Sequence, residues 1–167
     1  MGDSPTNLRP PQDAIYRELL QAGYRFSVYR GVWPADAEDV AAASLAKFHR
    51  VYGAKLEELA SPRALYFYVL RSCIADAARK RKLATTPLDR DVPGAAPNTA
   101  SRLDAQTLIA SLPTDQQEAL LLIYFEGLTY PEAAKATGRS IDSLKHLRKK
   151  AIQTLRDEFD INVEAGR

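Results

Sequence analysis

Apolar residues recur three and four apart along most of the chain, and the interruptions fall at glycine and proline. From Gln12 to Tyr29 the stripe is Ile15, Leu19, Ala22 and Phe26, ended by "GVWP" at 31–34. From Ala35 to Tyr52 it runs Ala37, Val40, Ala41, Leu45, Phe48, Val51 and Tyr52, with Ser44 as a small member. Both patterns predict amphipathic helices with one buried face. Gly53–Ser61 reads as a loop with room for a helical turn at "AKLEEL". A third helix is predicted from about Pro62 to Lys82, carrying Leu65, Tyr66, Val69, Leu70, Cys73, Ile74 and Ala77 on one side. Proline fits its first turn because that amide has no helical acceptor.

The pattern then lapses. "LATTPLDRDVPGAAPNTA" (83–100) has three prolines, a glycine and little to bury, which predicts a flexible linker. A coil of this length averages roughly 25 Å end to end and reaches roughly 60 Å stretched. Helical spacing returns at Ser101–Leu112 with Leu103, Leu108 and Ile109, stopped by Pro113. Thr114 and Gln117 stand at capping-box spacing before an apolar helix, Asp115–Phe125, with Ala119, Leu120, Leu122, Ile123 and Phe125. Thr129 and Glu132 repeat that spacing, Gly138 marks a left-handed stop, and Ser140 caps a last helix. That helix points Ile141, Leu144, Leu147, Ala151, Leu155 and Phe159 inward. No alternating pattern of period two occurs. The prediction is all-α: two small bundles on a flexible linker, the second with a helix-turn-helix whose last helix is basic.

Composition sharpens this. The chain of 167 residues is 46% hydrophobic and 26% charged, which is globular rather than disordered. Net charge is only +2, but its distribution is uneven. Residues 63–82 hold six basic side chains against Asp76, and residues 139–156 hold six against Asp142, net +5 each. The remainder is acidic at −8, so two basic patches point to two contacts with a polyanion. The single cysteine, Cys73, excludes a disulfide framework, and His49 and His146 lack ligand spacing. Neither a membrane span nor a signal peptide is visible, which predicts a cytoplasmic protein. No nucleophile–base pair, metal-ligand set or phosphate-cradling glycine loop is present, so neither an enzyme nor a cofactor is expected.

The order of parts resembles the extracytoplasmic-function group of sigma factors, in the sigma-70 family of bacterial RNA polymerase. "ADAEDV" (35–40) resembles the group's acidic motif, and "ALYFYVLRSCIADAARKRK" (64–82) its basic helix, with Asp76 and Arg79 in place. "LPTDQQEALLLIYFEGLTYPEAAKATGRSIDSLKHLRKKAIQTLRD" (112–157) resembles its terminal helix-turn-helix. The chain departs from the usual pattern at Ala42, Leu65, Tyr66, Ser72, Ala133 and "LKHLR". The resemblance implies three parts. A region 2-like domain (12–82) would bind core polymerase and open the −10 element. After the linker (83–100), a region 4-like domain (101–160) would read the −35 element. The partners implied are core RNA polymerase, promoter DNA and an anti-sigma factor, without membrane insertion.

Candidate sites follow on the matching residues. Asp36, Glu38 and Asp39 open a helix, where carboxylates complement the helix dipole by roughly 0.3–1 kcal/mol each. Three together exceed a cap's needs, and the resemblance makes them a polymerase-docking surface. Opening DNA calls for aromatic surfaces to stack on bases and for cations to hold phosphates. Phe67 and Tyr68 are the aromatic candidates, facing off the apolar stripe, while Tyr66 is read as core. Arg63, Arg71, Arg79, Lys80 and Arg81 supply charge, with an Asp76–Arg79 surface pair as the plainer account of Arg79. By the resemblance, a flipped base would lodge in the 53–61 loop. On the last helix Arg139, Ser140, Asp142, Ser143, Lys145, His146, Lys149 and Lys150 form the candidate −35 surface, early residues at base edges and later ones near phosphates. The two promoter elements lie roughly 70 Å apart, which gives the linker a purpose. Two rivals are a sigma-like mimic that sequesters an anti-sigma factor, and a stand-alone helix-turn-helix regulator.

Overall fold

The computed structural model describes residues 12–84 and 100–165, so most of the expected linker lies outside the described residues. The elements are α1 (Gln12–Tyr29), α2 (Pro34–Tyr52), a 3₁₀ segment (Gly53–Glu58), α3 (Pro62–Ala84), α4 (Ala100–Ser111), α5 (Thr114–Leu120), α6 (Tyr130–Thr137) and α7 (Ile141–Ala165). A π-helical segment, Leu121–Phe125, extends α5. Among the described residues there is no strand.

The N-terminal bundle is an aromatic core built on α1, α2 and α3. Phe26 meets Phe67 at a ring-centroid distance of 5.3 Å, and Tyr66 meets Phe48 edge-on at 5.9 Å. All four rings are buried. Such T-shaped pairs add about 0.5–1.5 kcal/mol beyond burial. The Tyr66 hydroxyl donates to the Ala41 carbonyl, and burial raises its pKa far above the ordinary phenol value. Gly23 makes this ring position possible, because a Cβ there would overlap the Tyr66 hydroxyl oxygen. α1 ends in a Schellman motif: Gly31 adopts φ 86°, its amide bonds Val28 O, and the Val32 amide bonds Ser27 O at 3.0 Å.

Two expectations about α3 change. It runs two residues further than predicted, to Ala84. Phe67, read as facing outward, is fully buried. The Phe67 ring meets Phe26 of α1, and α2 and α6 also pack on α3, so its buried face is wider than one helical stripe. Cys73 is half-buried against the core as a free thiol.

In the second bundle Ile109, Ala119, Leu120, Leu122, Leu144, Leu147 and Ala151 are buried, as their spacing predicts. Ile141, Phe125 and Phe159 are exposed instead, although the Phe125 ring meets Tyr29 at 5.2 Å. The capping box expected at Thr114 is absent. Pro113 takes the N-cap position, and the side chain of Gln117 bonds Tyr29 O and Ile109 O, both at 3.1 Å. The capping box at Thr129 is present, with the Thr129 amide donating to Glu132 at 2.8 Å. The two bundles are in direct contact: α6 packs on α3, and α4 touches α1.

Candidate nucleic-acid interface

The helix-turn-helix is α6 and α7. Gly138 turns the corner at φ 71°, a left-handed conformation that costs other L-residues about 1–2 kcal/mol. Ala133, Ala136 and Leu144 are fully buried at the crossing, where small side chains bring the helix axes close. The Ser143 amide donates to Ser140 Oγ at 3.2 Å, so Ser140 caps α7. The first turn of α7 therefore starts rigidly, with Leu144, Leu147 and Ala151 anchoring its inner face.

The outer face carries the residues expected from sequence. Ser140, Asp142, Lys145, His146, Lys149 and Lys150 are exposed, and Arg139 and Ser143 are half-buried at the corner. The Lys145 ammonium stands 5.7 Å from the Tyr130 ring. Arg148, which the sequence reading left aside, lies against Tyr124 and Tyr130 at 5.8 and 6.0 Å and donates to the Tyr124 hydroxyl. It braces α7 against the end of the preceding helix.

In the N-terminal bundle the structure joins two groups that the sequence keeps apart. Asp36 and Asp39 on α2 line the same cleft as Tyr68, Arg71 and Lys80 on α3, a space of about 1060 Å³. Glu38 is exposed beside them. Arg81 spans the cleft wall, 3.7 Å from Asp36 and 5.0 Å from the Trp33 ring. Arg79 pairs with Asp76 on the surface, the plainer account offered for it. Tyr68 is 53% exposed and free to stack, whereas Phe67 lies within the core. The 53–61 stretch is anchored by buried Leu56, and Ser61 Oγ accepts from the Ala64 amide at the start of α3.

Arg63 and Arg71 are engaged by the other bundle. Arg71 donates to Glu118 at 2.8 Å and to Ala136 O at 3.1 Å. Arg63 donates to Glu126 O at 2.7 Å and to its carboxylate at 3.3 Å, and also reaches Glu18 at 2.6 Å. Arg30 joins Glu118 at 3.4 Å and Gln117 at 2.7 Å, and Arg25 joins Glu126 at 3.2 Å. Burial pushes the Glu126 carboxyl above its ordinary pKa, partly offset by Arg25 and Arg63. Glu132 is held below its ordinary value, chiefly by the Thr129 amide, and accepts from Ser61 at 2.9 Å.

These contacts were missed in the sequence, yet a signal existed. Glu118 and Glu126 stand four residues either side of buried Leu122, so carboxylates occupy an apolar stripe. In an unbroken α-helix eight residues leave side chains about 80° apart. The π-helical segment, where the Glu126 amide bonds Leu121 O, changes that register, and both carboxylates face arginines.

Residues 102–155 match the family described as Sigma-70, region 4. No curated protein matches the chain in sequence. In fold it is similar to the sigma factor RpoE from Bartonella quintana, solved with the anti-sigma factor NepR: TM-score 0.70, 22% identity, 90% of this chain and 97% of that one. It is also similar to CnrH, solved with the cytosolic domain of CnrY: TM-score 0.62, 20% identity, 91% of each chain. Among the described residues no helix is long and apolar enough to cross a membrane. The last third of the chain thus matches the Sigma-70 region 4 family, and the fold along its length is similar to that of the two solved proteins.

Proposed function

We propose that this protein is an alternative sigma factor of the extracytoplasmic-function group, which binds core RNA polymerase and directs promoter-specific initiation. The observation that carries the reading is α7: a capped, rigidly seated helix whose polar face is exposed, inside the segment that matches region 4. Inserted in the major groove, it would set Asp142, Ser143, Lys145 and His146 at base edges, with Lys149 and Lys150 nearer phosphates. A good bidentate contact gives about 1–3 kcal/mol of discrimination between bases. The N-terminal bundle then opens the downstream element, with Tyr68 as the stacking surface and Arg63, Arg71, Lys80 and Arg81 as phosphate contacts. Asp36, Glu38 and Asp39 dock the polymerase. An anti-sigma factor is the expected regulator, as one binds the fold neighbour RpoE.

The test is promoter opening. Purified protein and core polymerase are incubated with genomic fragments, and unpaired thymines are mapped with permanganate. Opening should require both components and vanish with Glu38→Lys or Asp39→Lys, while the variants keep wild-type stability. Polymerase binding without opening would favour a mimic, and DNA binding with no polymerase affinity a stand-alone regulator; either result overturns the proposal.

A further inference from the structure

The bundles share an apolar core, and around it they meet through charges of opposite sign. The region 4 side presents Glu118, Glu126 and Glu132; the N-terminal side answers with Arg25, Arg30, Arg63, Arg71 and the Ser61 hydroxyl. Glu118 and Glu126 are almost fully buried, with side chains 6% and 3% exposed. Thr114 and Glu118 line one part of the cleft that holds Tyr68 and Lys80. The same packing therefore engages two arginines of the proposed −10 surface, part of the cleft beside them and the end of the 53–61 loop.

We propose that this packed arrangement is a self-closed form, in which Glu118 and Glu126 occupy Arg71 and Arg63 as intramolecular stand-ins for nucleic-acid phosphates, so that closure and single-stranded DNA compete for the same guanidinium groups. It rests on the sigma-factor reading for the identity of the DNA. Carboxylate and phosphate are equivalent ligands for arginine, each accepting parallel N–H bonds. Exchanging one for the other therefore changes the partner without stranding the cation.

The latch is built to release. Burying carboxylates costs several kcal/mol each, and pairing returns that only where every group is satisfied. Here Arg30 Nε and Arg71 Nε are buried with no hydrogen-bond partner among the described residues. The charged part of the closure is thus incompletely satisfied at both arginines. DNA, which offers a row of phosphates, can draw the arginines away.

The experiment uses the full chain with Glu118→Lys, which sets a cation against Arg30 and Arg71. Asp157→Lys, on the exposed face of α7, makes the same change in net charge away from the interface. Small-angle scattering reports opening, and fluorescence anisotropy reports binding of an oligothymidylate of roughly 20 nucleotides. If closed chains outnumber open ones by about ten to one, opening raises apparent affinity about tenfold. The expected result is a larger radius of gyration for Glu118→Lys and binding about tenfold tighter than that of Asp157→Lys. Adding Arg71→Glu to Glu118→Lys should restore the wild-type radius, which separates release of the latch from misfolding. A Glu118→Lys chain that stays compact, or opens with no gain over Asp157→Lys, or fails to close on the charge swap, overturns the proposal. The permanganate assay on the wild type judges the sigma reading separately. Competition seen without promoter opening leaves the latch standing and removes the sigma role.

Discussion

Phe67 and Tyr68 are neighbours in sequence, and the structure gives them opposite work. Phe67 is fully buried, with ring contacts to Phe26 at 5.3 Å and Tyr66 at 5.8 Å. Phe67→Ala removes the transfer energy of a buried ring and leaves a cavity, a loss of about 3–5 kcal/mol. Native stability of a domain is about 5–15 kcal/mol, so the variant should sit close to unfolding. Tyr68 is 53% exposed and lies outside the buried aromatic core, so Tyr68→Ala should stay within about 0.5 kcal/mol of wild type. Urea denaturation, with hydrogen exchange read on α3 peptides, measures both. In the polymerase assay the order reverses at fixed folded concentration: Tyr68→Ala loses promoter opening, while Phe67→Leu, which keeps the core filled, retains it. A Phe67→Ala loss below about 1 kcal/mol would refute the burial argument. So would a Tyr68→Ala loss as large as that of Phe67→Ala.

Two further predictions concern packing and protonation. Gly23→Ala should destabilise the N-terminal bundle because its Cβ overlaps the Tyr66 hydroxyl, and Tyr66→Phe in the same chain should recover part of the loss in urea midpoint. No recovery would mean that the glycine matters for its backbone alone. Burial raises the Glu126 pKa, so the packed state holds that proton more tightly than the unfolded chain does. The stability Glu126 contributes is therefore full below its ordinary value of 4.5 and lost as pH rises through the raised folded value. In paired urea titrations Glu126→Gln should therefore gain on wild type as pH rises above 4.5. The opposite trend would show that pairing with Arg25 and Arg63 outweighs burial.

What the sequence revealed divides along one physical line. Features set by a single helix and its own caps were legible: the stripe on α2 from Ala37 to Phe48 though not the exposed Val51, the capping box joining Thr129 to Glu132, the left-handed Gly138, and the inner face of α7 from Leu144 to Ala151. Features set by contact between elements were not. Phe67 reads as outward because one stripe is enough for α1 and α2, and nothing local says that Phe26 of α1 meets α3 beyond that stripe. Thr114 and Gln117 match a capping box, but the Gln117 amide is engaged at the interface, where it donates to Tyr29 O of the other bundle and to Ile109 O of its own, and accepts from Arg30. Glu118 and Glu126 are the instructive pair. Carboxylates on an apolar stripe conflict with the local pattern, and such conflicts resolve only when a partner for the charge exists elsewhere. Here the partners are Arg30, Arg71, Arg25 and Arg63, from the bundle whose basic residues first suggested a polyanion. A cation suited to phosphate is equally suited to a carboxylate from the same chain. The surplus of arginine on α3 and the misplaced glutamates after Pro113 are therefore two halves of one signal, separable by sequence distance and joined only in the fold.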